Sequence, residues 1–202
     1  MLPPFYYKGV TDDGLFRNFS EVIQRVGDSR LRVYLYHIPP VSQIPFSLSL
    51  IERLLKAYPS IVVGMKDSGG DWSYSKSVLE AFAQSDFEFF AGSETFLLAN
   101  MRNGGAGCIS ATANVNPAPI RQLYERWRSA DADRMQEALN ATRAAVQKYP
   151  MISALKATVA HYSGDPEWIH VRPPLVDLTA AQSQSLITGL EDLAFSMPGL
   201  QP

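Results

Sequence analysis

Short runs of apolar and β-branched residues alternate, in the first half of the chain, with longer stretches whose apolar positions recur at helical spacing. Each short run ends in turn residues, which is typical of buried parallel strands joined by helices. The pattern predicts strands over residues 31–36, 61–66, 87–92 and 106–110. The intervening stretches predict amphipathic helices over residues 14–26, 47–57, 73–83 and 94–103. This repeated order implies an α/β fold with a parallel sheet.

The two ends of the chain differ from this repeat. Residues 1–7 predict the tail end of one more strand, which begins abruptly at Met1 and leads into a turn at Lys8-Gly9. After Asn114 the pattern changes to helices over residues 117–129, 131–147, 152–162 and 179–193, with no further strand. We therefore expect an α/β part over residues 1–115 and a helical part over residues 116–202.

Composition narrows the range of partners. With 18 basic and 20 acidic side chains among 202 residues, neither nucleic acid nor an anionic membrane surface is indicated, and a small molecule is the expected ligand. The single cysteine, Cys108, excludes a disulfide framework. No signal-like start and no run long enough to span a bilayer is visible, so a cytoplasmic protein is expected. The histidines lie apart from any carboxylate cluster with ligand spacing, so no metal site is predicted.

Lys66 closes an apolar run and is followed at once by the turn residues Asp67-Ser68-Gly69-Gly70. In a barrel of parallel strands joined by helices, which is one form that a parallel sheet can take, active sites lie at the carboxyl ends of the strands. A lysine attacks a carbonyl only as the neutral amine, and an apolar strand end favours that form. A lysine whose ammonium simply reaches solvent from the strand end fits the segment equally well, and the segment alone leaves both readings open.

Tyr36 ends the preceding predicted strand in the same way, so its phenol is expected to point across the barrel mouth toward Lys66. A phenol can relay protons during carbon–carbon cleavage, and an aromatic plug at the rim is the alternative. His37 has no matching partner in the sequence and is interpreted as a loop histidine, not as a base.

Small residues follow the last two predicted strands. Gly92 permits close backbone approach, and Glu94 either accepts hydrogen bonds from substrate hydroxyls or stabilises the start of a helix. The glycine-rich run that leads to Ile109 and Ser110 suits a backbone wall beside a ligand, or tight packing of a helix on a strand. These glycines lack the spacing of a nucleotide-phosphate site, so no nucleotide cofactor is indicated.

Taken in order, four motifs resemble those of the dihydrodipicolinate synthase / N-acetylneuraminate lyase family: YHIP at 36–39, GMKDS at 64–68, GSE at 92–94 and GCISATAN at 107–114. The likeness covers essentially the whole chain, with PPFYY at 3–7 similar to the family's fourth strand. It implies a partial (β/α)8 TIM barrel, strands 4 to 8, and a C-terminal helical region. Residues 116–202 would then hold the last barrel helix and that region.

The resemblance also implies a chemistry, in which a class I aldolase-type lyase binds pyruvate covalently as a Schiff base with no separate cofactor. Lys66 matches the family's Schiff-base lysine, and Tyr36 matches its catalytic tyrosine. Tyr7 matches the tyrosine that completes a proton relay in the neighbouring subunit's site. A homo-oligomer is therefore expected.

Substrate contacts follow from the same likeness. Ile109, with Ser110 beside it, matches the residue whose backbone carbonyl faces the bound keto acid. Glu94 lies where the lyases place acidic contacts to a hydroxylated substrate, and Gly92, two residues before it, is predicted to line the same substrate site.

Two departures from the family's pattern matter. The opening three barrel strands, including a threonine pair that binds the pyruvate carboxylate, are absent, and a barrel without them has unpaired edges and an open core. We therefore expect a truncated or mis-started reading frame. At Val41, true dihydrodipicolinate synthases carry an arginine for the carboxylate of aspartate semialdehyde, and valine cannot form that ion pair.

Three functions remain open from the sequence. The leading hypothesis is a lyase that cleaves or forms a carbon–carbon bond between pyruvate and an aldehyde partner. Val41 counts against the second, 4-hydroxy-tetrahydrodipicolinate synthase proper. The third is an inactive relic or non-catalytic subunit, which the missing strands favour.

Overall fold

The computed structural model describes residues 1–200 of the chain. The chain divides into two compact units, Met1–Ile109 and Ser110–Pro202. Each unit has its own hydrophobic core. The division falls ahead of the one that the sequence predicts after residue 115.

The first unit is built on a parallel sheet of four strands: β1 (Val33–His37), β2 (Val62–Asp67), β3 (Glu88–Ala91) and β4 (Gly107–Cys108). Their spatial order is β1-β2-β3-β4, the same as their order in the chain. In the wall of a (β/α) barrel, each strand lies beside the strand that precedes it in the chain. In an open doubly wound sheet, by contrast, the spatial order of the strands changes direction at one point. The predicted parallel strands are confirmed, with bounds that shift by a few residues.

Five helices accompany this sheet: α1 (Asp12–Val26), the single turn α2 (Pro39–Ser42), α3 (Leu48–Ala57), α4 (Trp72–Ala81) and α5 (Leu97–Arg102). Thr11, Ser47 and Asp71 cap α1, α3 and α4 by accepting a backbone N–H in the first turn. Side chains such as Phe19, Leu50 and Met65 are fully buried in the core of this unit. The predicted helix over residues 94–103 is interrupted, since Glu94–Phe96 form a 3-10 turn before α5 begins.

The predicted strand at residues 1–7 is wrong. In the described chain these residues form no strand. Met1 alone follows the edge of β1, where its carbonyl accepts the N–H of Tyr36 at 2.9 Å and its ammonium donates to the carbonyl of Tyr34. Pro3 and Pro4 have no N–H to donate, so the ladder stops there.

The second unit is helical in its described residues. It contains α6 (Pro117–Arg126), α7 (Ala132–Gln147), α8 (Met151–Ser163) and α9 (Ala180–Glu191), which confirms the four predicted helices, and short 3-10 helices at Ala111–Asn114 and Pro166–Ile169. Helix α7 packs against α6, α8 and α9. Thr179 and Gln182 form a capping box at the start of α9. No helix among the described residues has the length and apolarity needed to cross a membrane.

Candidate active site

Lys66 and Tyr36 are brought together at the carboxyl ends of β1 and β2. The two residues are register partners on these parallel strands. Nζ of Lys66 lies 3.3 Å from the phenol oxygen of Tyr36 and 4.4 Å from the centre of its ring. Both side chains are half-buried. An amine held against a phenol at a strand end has both a nucleophile and a proton carrier within reach of one substrate.

A second polar pair lies on the same face of the sheet, two residues toward the start of each strand. Gly64 pairs with Tyr34 on one side and Glu88 on the other. A Cβ on Gly64 would lie 2.3 Å from the carbonyl of Glu88 and 2.7 Å from the ring of Tyr34, so only glycine fits there. The Tyr34 phenol donates to the Glu88 carboxylate, and this hydrogen bond raises the pKa of Tyr34.

Gly92 joins the loops that follow β2 and β3, at the edge of the sheet where the strands end. Its N–H donates to the carbonyl of Asp67 at 2.6 Å. A Cβ on Gly92 would lie 2.3 Å from Oγ of Ser68 and 2.5 Å from that same carbonyl. The loop after β3 therefore lies directly against the loop that follows Lys66. The predicted contact between Gly92 and substrate stays a prediction.

Glu94 begins the 3-10 turn after β3 and is fully buried, with 0% of its surface exposed. Burial, and to a lesser extent the charge of Glu94, raise the pKa of the Cys108 thiol to about 12, so that this cysteine is no nucleophile at neutral pH. The predicted contact between Glu94 and substrate hydroxyls stays a prediction.

Ile109 and Ser110 follow β4. Ile109 donates its N–H to the carbonyl of Ala91 at 2.9 Å, while its side chain is 47% exposed. Ser110 is buried at the start of the second unit, where its hydroxyl accepts a hydrogen bond from Nη1 of Arg143 at 3.0 Å and lies 3.2 Å from the hydroxyl of Thr112. Ile109 thus leaves a side chain free at the strand end, and the Ser110 hydroxyl belongs to a polar network of its own.

Tyr7 and Val41 are exposed. The side chain of Tyr7 is 71% exposed and its ring packs edge-on against Tyr6 at 5.2 Å between centres. Val41, in the turn α2 that begins three residues after Tyr36, is also 71% exposed. Nζ of Lys8 donates to the carbonyl of Ser42 at 2.9 Å, which ties the segment around Tyr7 to this turn.

The interpretation of His37 as a loop histidine is wrong. His37 is the last residue of β1 and is buried, with 4% of its surface exposed, because side chains alternate along a strand and Tyr36 takes the other face. Its ring meets that of Tyr74 edge-on at 4.2 Å. Burial lowers the pKa of His37, and the charge of Asp67 opposes that effect only in part. His37 is therefore neutral at pH 7.

Asp67 is a residue whose importance sequence reasoning missed. It belongs to β2 and not to the following turn, and its carboxylate is buried, with 5% of the residue exposed. The alternation of faces after Lys66 was the available signal, because it turns the next side chain toward the helices. Within residues 1–200, no three His, Cys, Asp or Glu side chains are grouped so as to hold a metal ion.

Comparison with known proteins gives one consistent result. A family model described as the dihydrodipicolinate synthetase family matches residues 1–193. An uncharacterized DapA-like lyase of Chloroflexus aurantiacus is 30% identical over 203 residues, covering 100% of this chain and 66% of its own length.

Two solved structures show the same fold. A dihydrodipicolinate synthase from Agrobacterium tumefaciens str. C58 is 32% identical with a TM-score of 0.84, covering 95% of this chain and 64% of its own. YagE, a prophage protein of the dihydrodipicolinic acid synthase family from E. coli K12 in complex with pyruvate, is 26% identical with a TM-score of 0.85, covering 96% and 65%. The first unit is thus part of a (β/α)8 barrel, and the chain spans about two thirds of the length of these relatives.

Proposed function

Because this chain belongs to the dihydrodipicolinate synthetase family, we propose that it is a class I aldolase-type lyase in which Lys66 forms a Schiff base with a 2-keto acid such as pyruvate. The observation that carries the proposal is the contact of 3.3 Å between Nζ of Lys66 and the phenol oxygen of Tyr36. A pyruvate complex of the similar protein YagE supports the choice of keto acid.

The chemistry needs few groups from the protein. The neutral amine of Lys66 adds to the ketone carbon, and the resulting carbinolamine loses water to give an iminium. Tyr36 is close enough to carry the proton from nitrogen to the departing hydroxyl. The iminium then withdraws electrons from the neighbouring carbon, whose bond to the aldehyde fragment breaks in cleavage and leaves an enamine. In condensation that carbon first loses a proton to give the same enamine, which then attacks the aldehyde. Water hydrolyses the Schiff base and restores Lys66.

The aldehyde partner is the less defined substrate. Val41 offers an exposed apolar side chain in the turn α2, and valine cannot form the two hydrogen bonds by which an arginine pairs with a carboxylate. This supports a hydroxylated aldehyde over aspartate semialdehyde. A contact of its hydroxyls with Glu94, which is fully buried, would require a rearrangement that exposes the Glu94 carboxylate. A 4-hydroxy-tetrahydrodipicolinate synthase proper is therefore not favoured.

Further properties go with this proposal. We assign no cofactor beyond the covalent intermediate, a cytoplasmic location, and an assembly of identical subunits in which Tyr7 meets a neighbour. The exposed rings of Tyr6 and Tyr7 support such an assembly, since exposed aromatic clusters mark interaction surfaces. Neither nucleic acid nor a membrane is proposed as a partner.

The proposal is tested by turnover with two classes of substrate. Purified chain is incubated with 2-keto-3-deoxy sugar acids, and pyruvate release is followed by its enzymatic reduction with NADH. In a parallel assay, pyruvate consumption is followed with aspartate semialdehyde. Release from the sugar acids above the rate with a Lys66→Arg variant is expected. Equal rates for native protein and variant, with both substrates, would support the non-catalytic alternative instead.

A further inference from the structure

A buried carboxylate lies directly behind the candidate nucleophile. Asp67 follows Lys66 in β2, and because adjacent side chains point to opposite faces of a strand, it faces the helices when Lys66 faces Tyr36. Only 5% of Asp67 is exposed. A carboxylate in such a place is unfavourable unless its oxygens accept hydrogen bonds.

Both carboxylate oxygens of Asp67 have donors. Oδ1 accepts the N–H of Gly69 at 2.7 Å, and Oδ2 accepts the hydroxyl of Ser75 at 2.6 Å. Gly69 belongs to the turn after Lys66, and Ser75 is a buried residue of α4. The carboxylate therefore joins the end of β2 to the turn and to the helix.

The backbone around Asp67 is fixed on its other two sides. Ser68 donates its N–H to the carbonyl of His37 at 2.7 Å, and Gly92 donates to the carbonyl of Asp67 at 2.6 Å. Neighbouring strands thus hold the main chain on both sides, and the Asp67 side chain holds it from behind. These contacts therefore hold the peptide between Lys66 and Asp67 from three directions.

Asp71 provides a comparison at the same helix. It is the N-cap of α4, where its carboxylate accepts the N–H of Ser73 at 2.9 Å and the Ser73 hydroxyl at 2.7 Å. Its side chain is exposed, and its bonds stay within the first turn of the helix. Asp71 therefore stabilises α4 alone, whereas Asp67 links α4 to the strand end.

We propose that Asp67 is a positioning residue, whose hydrogen bonds to Gly69 and Ser75 hold the end of β2 so that Lys66 meets Tyr36 and the substrate carbonyl. The inference rests on the proposed function. A lysine side chain is long and flexible, so its approach to a carbonyl depends on how firmly its backbone is held. A displacement of about 1 Å at a reacting group can lower a rate by about a hundredfold.

Three variants separate this role from general stability. Asp67→Ala removes both hydrogen bonds. Asp67→Asn keeps them, because its oxygen still accepts from Gly69 and its amide can donate to the Ser75 hydroxyl, which turns to accept. Asp71→Ala removes the cap of the same helix and leaves the hydrogen bonds of Asp67 in place.

The rate at which borohydride traps pyruvate on Lys66 is measured for the folded fraction of each variant, over a range of pyruvate concentrations. We expect the maximal rate to fall at least about tenfold for Asp67→Ala at nearly unchanged half-saturation. We expect Asp67→Asn to remain within about threefold of native and Asp71→Ala to match native protein. A folded Asp67→Ala that traps at the native rate would overturn the proposal, as would an Asp67→Asn as slow as Asp67→Ala.

If pyruvate labels neither native protein nor any variant, the proposed function is contradicted. The positioning role of Asp67 is then tested separately, by a second reaction. Trace acetic anhydride acetylates free amines, and peptide mapping reports each lysine. Because Asp67→Ala lacks the hydrogen bonds to Gly69 and Ser75, half-buried Lys66 should be acetylated several times faster in this variant than in native protein. Lys76, exposed on α4, is the internal control. Equal Lys66 rates in both proteins would refute the positioning role.

Discussion

The phenol oxygen of Tyr36 lies 3.3 Å from Nζ of Lys66, and the two residues are opposite one another in the register of β1 and β2. The contact follows from the sheet, since parallel register partners on one face lie side by side. Tyr36 and Lys66 both point away from the helix-packed face, which places their functional groups at one strand edge. Geometry set by the backbone is thus the basis of the proposed chemistry.

Replacing Tyr36 tests the proton relay. Tyr36→Phe keeps the ring under the lysine nitrogen but removes the hydroxyl that carries protons. We expect the rate of Schiff-base formation to fall by about a hundredfold or more, measured by borohydride trapping with pyruvate.

Tyr34→Phe is the matched control for that variant. Tyr34 lies on the same face of β1, and its phenol is bound to Glu88. We expect it to trap pyruvate at the native rate. Equal losses in the two variants would show that the hydroxyl of Tyr36 has no special part in the reaction.

Gly92 allows a prediction about stability. Gly92→Ala puts a Cβ within 2.5 Å of the Asp67 carbonyl, which is main chain and cannot rotate away. We expect a loss of about 1–3 kcal/mol in the free energy of unfolding, measured with urea.

The control is Gly189→Ala in α9, where a Cβ would meet no atom within 4 Å. A gain of about 0.5–1 kcal/mol is expected there, because alanine is the better helix former. A Gly92→Ala protein as stable as native would show that the two rim loops are free to move apart.

The sequence was sufficient for the main elements of the fold. Hydrophobic periodicity predicted the four parallel strands and the main helices, because each buries one regular face. Hydrophobic periodicity does not predict the structure where prolines determine the backbone conformation. The proline pair at residues 3 and 4 ends a ladder that the apolar and aromatic neighbours suggest, and the turn α2 begins at a proline pair without any periodic signal.

Only part of the candidate site can be predicted from the sequence. Strand ends predicted the meeting of Lys66 and Tyr36, because parallel strands finish at one edge. The sequence does not predict which side chains surround His37 and Asp67, because these neighbours depend on how α4 packs against the sheet. Ser75 and Tyr74, which complete it, look like ordinary helix residues in sequence.

Val41 is the basis of a prediction about the aldehyde partner. Val41→Arg adds a guanidinium to the exposed turn after Tyr36. We expect the condensation of pyruvate with aspartate semialdehyde to become at least about tenfold faster, because an arginine can pair with the carboxylate through two hydrogen bonds.

Val41→Met, of similar length without the charge, is the control for that variant. Trapping of pyruvate alone should be the same in all three proteins. A Val41→Arg protein whose preference between aldehydes is unchanged would remove Val41 from the account of specificity.

His37 makes stability depend on pH. Burial lowers its pKa below 6.5, while Asp67 on β2 partly opposes the shift and Tyr74 on α4 packs against the ring. As pH falls below about 6.5, the unfolded chain takes up a proton that the folded chain refuses, so stability decreases. The contribution of one such group is at most about 1.4 kcal/mol per pH unit.

Urea unfolding between about pH 8 and pH 5 measures this slope. We expect His37→Asn to remove the contribution, and His161→Asn, at an exposed histidine of α8, to keep it. Identical slopes for native protein and His37→Asn would place the pH dependence elsewhere.

Covalent labelling shows whether the Lys66 amine captures a keto acid. Native protein is incubated with pyruvate and borohydride, digested, and mapped by mass spectrometry beside a Lys66→Arg variant. We expect one reduced pyruvate adduct, on the peptide that carries Lys66, and none on the variant. Native protein without an adduct, or an equal adduct at another lysine of the variant, would contradict it.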